Sequence, residues 1–160
     1  MNEKPRLMRS TLTRATVGQL LLALVVIGIV GLEVELALLR HAESFSQWIP
    51  HVTLFIGLLA TAAVYFRTGP RTLRVFQTMM IIFTAVGALG VYFHLHGNVE
   101  FAQERDPSLS GVRLLWKALR GASPALAPGA LAQLGLLGLL YGYKHPARTR
   151  DNTIGRESVD

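Results

Sequence analysis

The strongest constraint on this chain is a set of four long apolar runs. Val17 to Leu39 carries LLLALVVIGIVGL with no charge at its centre, and Pro50 to Phe66, Val75 to His96 and Pro124 to Tyr143 are built alike. Crossing a bilayer takes about 20 mostly apolar residues at ~1.5 Å rise each. Backbone polar groups find no water there, so each run must close its hydrogen bonds within itself, as a helix. The sequence therefore predicts an all-α integral membrane protein with four transmembrane helices in an up-down bundle. Composition agrees: of 160 residues 51% are hydrophobic and 16% charged, with a mean hydropathy of +0.37. Such values are unusual for a soluble domain.

The first run is too long for a signal-peptide apolar region of about 7–15 residues, and no small-x-small cleavage pattern follows it. Glu33 and Glu35 lie inside it. It is expected to remain as an uncleaved helix.

Basic residues set the orientation. Lys4, Arg6, Arg9 and Arg14 precede the first run, Arg67, Arg71 and Arg74 join the second to the third, and Lys144, Arg148, Arg150 and Arg156 follow the fourth. These are eleven of the 16 basic residues; Arg40, Arg105, Arg113, Lys117 and Arg120 fall on the other side. The positive-inside rule then puts both termini in the cytoplasm of a bacterial-type inner membrane. An even number of spans returns the chain to its starting side, so count and charge agree.

The organisation expected is a basic N-terminal stretch (1–16), a membrane domain (17–143) and a polar, disordered tail (144–160). The long outer connection, 97–122, contains DPSLSGVRLLWKALRG. It reads as an amphipathic helix over about 107–120, with Asp106 as cap, Pro107 in the first turn and Gly121 as stop. Leu109, Val112, Leu115, Trp116 and Leu119 form its apolar face, opposite Arg113, Lys117 and Arg120. Such a helix can lie in the headgroup layer or pack over the bundle as a lid.

The polar residues gather at the same outer end. His41, His51, His94 and His96 fall at the outer ends of the first three runs, with Glu33, Glu35, Glu43, Glu100, Glu104 and Asp106 on that side. Carboxylates inside a span cost on the order of a few kcal/mol unless they face a partner or water. Glu35 shares a helix face with Gly31 and Gly28, and His94 with Gly90 and Gly87, so each stands above a small-residue groove open to another backbone or a flat ligand. His94 and His96 are about 200° apart on a continuous helix and converge only if the helix ends at His96, where Gly97 is a natural stop.

Imidazole and carboxylate together suit Zn, Cu or Fe. The metal-ligand candidates are Glu35, His51 and His94, with His96, His41 and Glu100 beside them; haem on His94 and His51 is the variant. The bland alternative pairs Glu33 with Arg40 and leaves the histidines as interfacial polar groups. The chain has no cysteine, which excludes disulfides and thiolate metal sites. Its net charge of +6 sits at span ends, not in a nucleic-acid-binding stripe. Phosphate-cradling loops and nucleophile elbows are missing from the sequence, so enzymatic chemistry of its own is not expected, although a diiron-type carboxylate–histidine centre stays open. Gly135, Gly138 and Gly57 are expected to serve helix packing, and a homo-oligomer or a place among other membrane subunits follows from several glycine-bearing faces. Three function classes result: a metal- or haem-binding membrane protein, an accessory subunit of a larger membrane complex, and, least favoured, a transporter subunit using Glu33 and Glu35.

Overall fold

The computed structural model describes residues 4–121, 123–143 and 145, with side chains from position 17 onward. Five helices follow one another: α1 (Lys4–Leu38), α2 (Phe45–Phe66), α3 (Pro70–Arg105), α4 (Gly111–Leu119) and α5 (Gly129–Gly142). No strand occurs among the described residues. Three helices are long and apolar enough to cross a membrane: the Val17–Leu38 part of α1, α2 and α3. The basic N-terminal side chains and the tail after His145 lie outside the described residues, as do the expectations placed on them.

Helix ends differ from the expected span ends for identifiable reasons. α2 starts at Phe45 because Gln47 reaches back, its Oε1 accepting from the Glu43 and Ser44 backbone N–H groups at 2.6 and 3.1 Å. That satisfies donors left open at a helix start and carries Pro50 inside the helix. α3 does not stop at Gly97. Glycine within a helix costs ~1 kcal/mol against alanine, which weakens a helix without ending it. The stop comes at Asp106, which precedes Pro107 and is held out of the helical region by the proline ring, with extended φ −148° and ψ 90°. Asp106 consequently caps nothing in α4. Its Oδ1 accepts from the Ser108 N–H (3.1 Å) and hydroxyl (2.6 Å), and these bonds, aided by Lys117 and Arg113, hold its carboxyl below the usual carboxylate range. The outer helix shrinks to nine residues, Gly111–Leu119.

The fourth apolar run also folds shorter than its hydropathy suggests. Residues 124–128 form turns with i to i+3 bonds, such as Ala127 N–H to Pro124 O and Gly129 N–H to Leu126 O. Regular helix begins only after Pro128, which lacks an N–H and restrains its predecessor. α5 is therefore 14 residues long, about 21 Å at ~1.5 Å per residue, against a hydrocarbon core of ~30 Å.

α1, α2, α3 and α5 pack side by side, successive helices running in opposite directions. At one end Gln77 donates to Gly142 O at 3.1 Å; at the other, Gly90 meets Pro128. Between them α3 and α5 touch backbone to backbone. A methyl group at Gly135 would stand 2.5 Å from Met80 O and 2.7 Å from Thr84 N, and one at Gly87 would stand 2.8 Å from Pro128 O. Gly135 and Gly138 thus serve packing, as expected. Gly57 does likewise for α2, seating the Phe83 ring. The core around this seam holds Val25, Ile29, Leu54, Val64, Phe76, Met80 and Phe83, all at most 2% exposed.

Candidate functional site

The histidine-bearing polar cluster forms where α1 ends. Leu38 closes the helix, and Arg40 takes the left-handed conformation, φ 51°. His41 N–H then bonds Leu36 O at 3.0 Å and Arg40 N–H bonds Ala37 O at 3.1 Å. This is the Schellman arrangement with arginine where glycine is usual. It folds the chain back so that His41 lies over the first turns of α2.

His51, one and a half turns into α2, fastens this reversal. Its Nδ1 lies 2.7 Å from Glu33 Oε1 and its Nε2 lies 2.9 Å from the His41 carbonyl oxygen. A carbonyl only accepts, so Nε2 carries a hydrogen and donates it. Nδ1 is left to face the Glu33 carboxyl. His51 is mostly covered (12% exposed), Glu33 less so (45%). Glu33 Oε2 is nevertheless buried without a hydrogen-bond partner. Glu33 therefore pairs with His51, not with Arg40.

His94 approaches from α3. Its ring centre is 6.3 Å from that of His41, and its Nδ1 is buried without a hydrogen-bond partner. Burial, then the charges of His94 and His51, push the His41 imidazole below its ordinary pKa. His41 consequently favours its neutral form, the form that can also ligate a metal.

Of the six candidate ligands, His41, His51 and His94 come together. Glu35 is exposed on the far side of α1. Because α3 continues past Gly97, His94 and His96 diverge; His96 faces outward and lies 3.5 Å from Glu100, both exposed. Among the described residues no group of three or more His, Asp or Glu side chains is arranged to hold a metal ion. The small-residue groove below His94 is filled by α5, Pro128 lying on Gly90 and the Pro128–Ala132 turn on Gly87. Another backbone, and not a flat ligand, occupies it, which leaves no room for haem over those glycines. Leu134 covers Gly28 in the same way, whereas Gly31 faces open space.

Sequence reasoning missed Asn98. It is 5% exposed, donates Nδ2 to Ala118 O (2.9 Å) and Ser123 O (2.7 Å), and accepts from Ser123 N–H (3.2 Å). One amide thus ties the end of α4 and the following connection to α3. Its only sequence signal was a four-residue spacing that puts it on the same face as His94 and Ala102.

A second feature is a cleft of about 410 Å³ between α1 and α2, lined almost wholly by apolar atoms. Ala23 and Ala62 contribute small side chains to it, and Ile27, Leu58 and Phe66 apolar walls. No family model matches this chain, and no curated protein or solved structure matches it significantly.

Proposed function

We propose that this protein is a non-enzymatic subunit of a membrane assembly that receives one transmembrane helix of a partner in the α1–α2 cleft. The reading keeps both termini in the cytoplasm, α5 and the turns before it completing a fourth crossing of a bacterial-type inner membrane. The cleft carries the proposal. In lipid, helices associate through close packing of small residues and through polar side chains, not through hydrophobicity. Ala23 and Ala62 provide the close approach. The outer polar groups support the same reading, because His51 and Asn98 are committed to the protein's own backbone.

The absence of cysteine from the sequence makes the test direct. Ala62→Cys places a thiol in the cleft, and Ala63→Cys places one at the same depth about 100° around α2, at an exposed position. Labelled with a maleimide that carries a diazirine, which inserts into C–H bonds and needs no partner thiol, and then illuminated in native membranes, Ala62→Cys is expected to yield an adduct with a second polypeptide and Ala63→Cys none. Equal adducts from both, or none from either, would remove the assembly reading.

A second reading places a transition-metal ion on His41 and His94. Two imidazoles on one ion at ~2.0–2.1 Å have ring centres about 5 Å apart at the tetrahedral angle, closer than the 6.3 Å found here, so the reading rests on the unbonded His94 Nδ1. Metal analysis of protein purified in mild detergent tests it. Stoichiometric Zn, Cu or Fe lost in His94→Ala supports the ion, and metal-free wild type removes it.

A further inference from the structure

α4 divides into three sectors around its axis. At ~100° per residue, Leu114 and Ala118 share one side, Val112, Leu115 and Trp116 the next, and Arg113, Lys117 and Arg120 the third. The first side is fastened to α3: Ala118 is fully buried and its carbonyl accepts from Asn98. The second is bare, with Val112 82%, Leu115 47% and Trp116 62% exposed. All three cations of the third side are exposed. The Arg120 guanidinium lies 6.0 Å from the Trp116 ring, joining the two outer sectors. Within α4 there is no acidic residue; the nearby carboxylates, Asp106 and Glu104, lie before it in the chain.

The depth of α4 follows from its anchor. His94 is level with the α1–α2 reversal through its contact with His41. Asn98 and Ala102 stand about 6–12 Å further along α3 at ~1.5 Å per residue. The headgroup layer adds roughly 5–8 Å to each side of the ~30 Å hydrocarbon core. If the apolar spans end near His94, α4 lies at headgroup level with its bare apolar sector beside its cations.

We propose that α4 is a lipid-binding helix that inserts Val112, Leu115 and Trp116 into the membrane interface and holds the phosphates of anionic phospholipids on Arg113, Lys117 and Arg120. The complementarity is one of charge and of layer. Phosphates lie just outside the acyl chains, as the cations lie beside the apolar stripe, and basic residues near an anionic surface each contribute about 1 kcal/mol. The inference requires membrane insertion but not the assembly reading, so either can fail alone.

Trp116 is one of only two tryptophans, so Trp48→Phe in the full chain leaves a single reporter on α4. The protein is reconstituted into phosphatidylcholine vesicles brominated along the acyl chains, with and without phosphatidylglycerol. Trp116 emission is expected to be blue-shifted and quenched by bromine, more strongly when phosphatidylglycerol is present. The triple variant Arg113→Gln, Lys117→Gln, Arg120→Gln should keep the basal quenching and lose the phosphatidylglycerol-dependent part, its preference falling about fivefold per cation removed at ~1 kcal/mol each. Should Trp48→Phe not fold, the difference between wild type and Trp116→Phe isolates the same signal. Trp116 quenched by aqueous iodide but not by bromolipid, or by neither, would overturn the insertion. Quenching indifferent to phosphatidylglycerol and to the three cations would overturn the phosphate site.

Discussion

Adding one methyl group at Gly135 tests the backbone seam between α3 and α5. An alanine Cβ there would stand 2.5 Å from Met80 O and 2.7 Å from Thr84 N, where ordinary contact begins near 3.4 Å. Both obstacles are backbone atoms of a helix, so no rotamer change relieves them and the helices must part by several tenths of an ångström. Overpacking of this kind costs ~1–3 kcal/mol. A gap of 0.5–1 Å forfeits about a quarter to a half of each contact's attraction along the seam. Alanine's helix preference returns at most ~1 kcal/mol, so Gly135→Ala should be destabilised by about 2 kcal/mol. Gly97→Ala supplies the opposite case. It too lies inside a helix, but nothing stands within 4 Å of its added Cβ, and it should gain ~0.5–1 kcal/mol. Titration with SDS in mixed micelles, followed by helical circular dichroism, separates the two. A Gly135→Ala protein as stable as wild type, or a Gly97→Ala protein equally weakened, would refute the seam.

The outer end yields further expectations. Asn98→Ala removes three bonds from a buried amide and leaves two carbonyls without that donor; at ~1 kcal/mol or more per bond, about 2–4 kcal/mol of local stability should go, read as faster hydrogen exchange across 111–121 with α1–α2 unchanged. Arg40→Gly replaces a side chain at φ 51° with the residue suited to it, and thermal unfolding in detergent should shift upward by the equivalent of ~0.5–1 kcal/mol. Glu33→Gln removes the charge from a pair whose acid is 45% exposed, and solvent screening limits the loss to roughly 1 kcal/mol in the same titration. His41, held below its ordinary 6.5 in the fold, binds fewer protons folded than unfolded. Its docking should therefore be complete above pH 6.5 and weaken as pH falls below it, and hydrogen exchange of residues 39–44 should lose that slope in His41→Gln.

The apolar runs were legible because hydropathy is summed along the chain, and three of them fold as helices of membrane-crossing length. Their ends were less legible, since helix stops compete. Gly97 looked like a terminator, but its penalty is small beside the bonds of a continuing helix, and the Asp106–Pro107 step is the stronger stop. Pro128 acted the other way, delaying α5 where Ser123–Pro124 looked like a natural start. Half of the candidate ligands gathered. His41 follows the end of α1, His51 lies near the start of α2 and His94 in the later part of α3, so alternation of direction brings the three to one level. Which carboxylate joins them depends on rotation about α1, and Glu33 and Glu35, two positions apart, point about 200° apart. A pair separated by 18 residues such as Glu33 and His51, or a clamp from Asn98 across 25 residues to Ser123, leaves no local pattern to read.

The α3–α5 seam and the end that carries His41, His51 and His94 are held by different chemistry, and this assigns them different tolerances. Along the α3–α5 seam the contacts are backbone on glycine, which neither titrate nor rearrange. At the histidine-bearing end the connections are fastened by single polar side chains, His51 on the His41 carbonyl and Asn98 on the Ala118 and Ser123 carbonyls. A side-chain fastener can be released without disturbing the helices it joins, because the bonds broken belong to connections between helices and not to their ladders. Beside the first fastener, burial and the neighbouring histidines hold the His41 imidazole below its ordinary range. The second holds α4, whose only polar tie to α3 among the hydrogen bonds described above is Asn98. The end at which His41, His51 and His94 meet thus rests on side-chain bonds between connections, while the glycine seam sets the register of α3 and α5 beneath it.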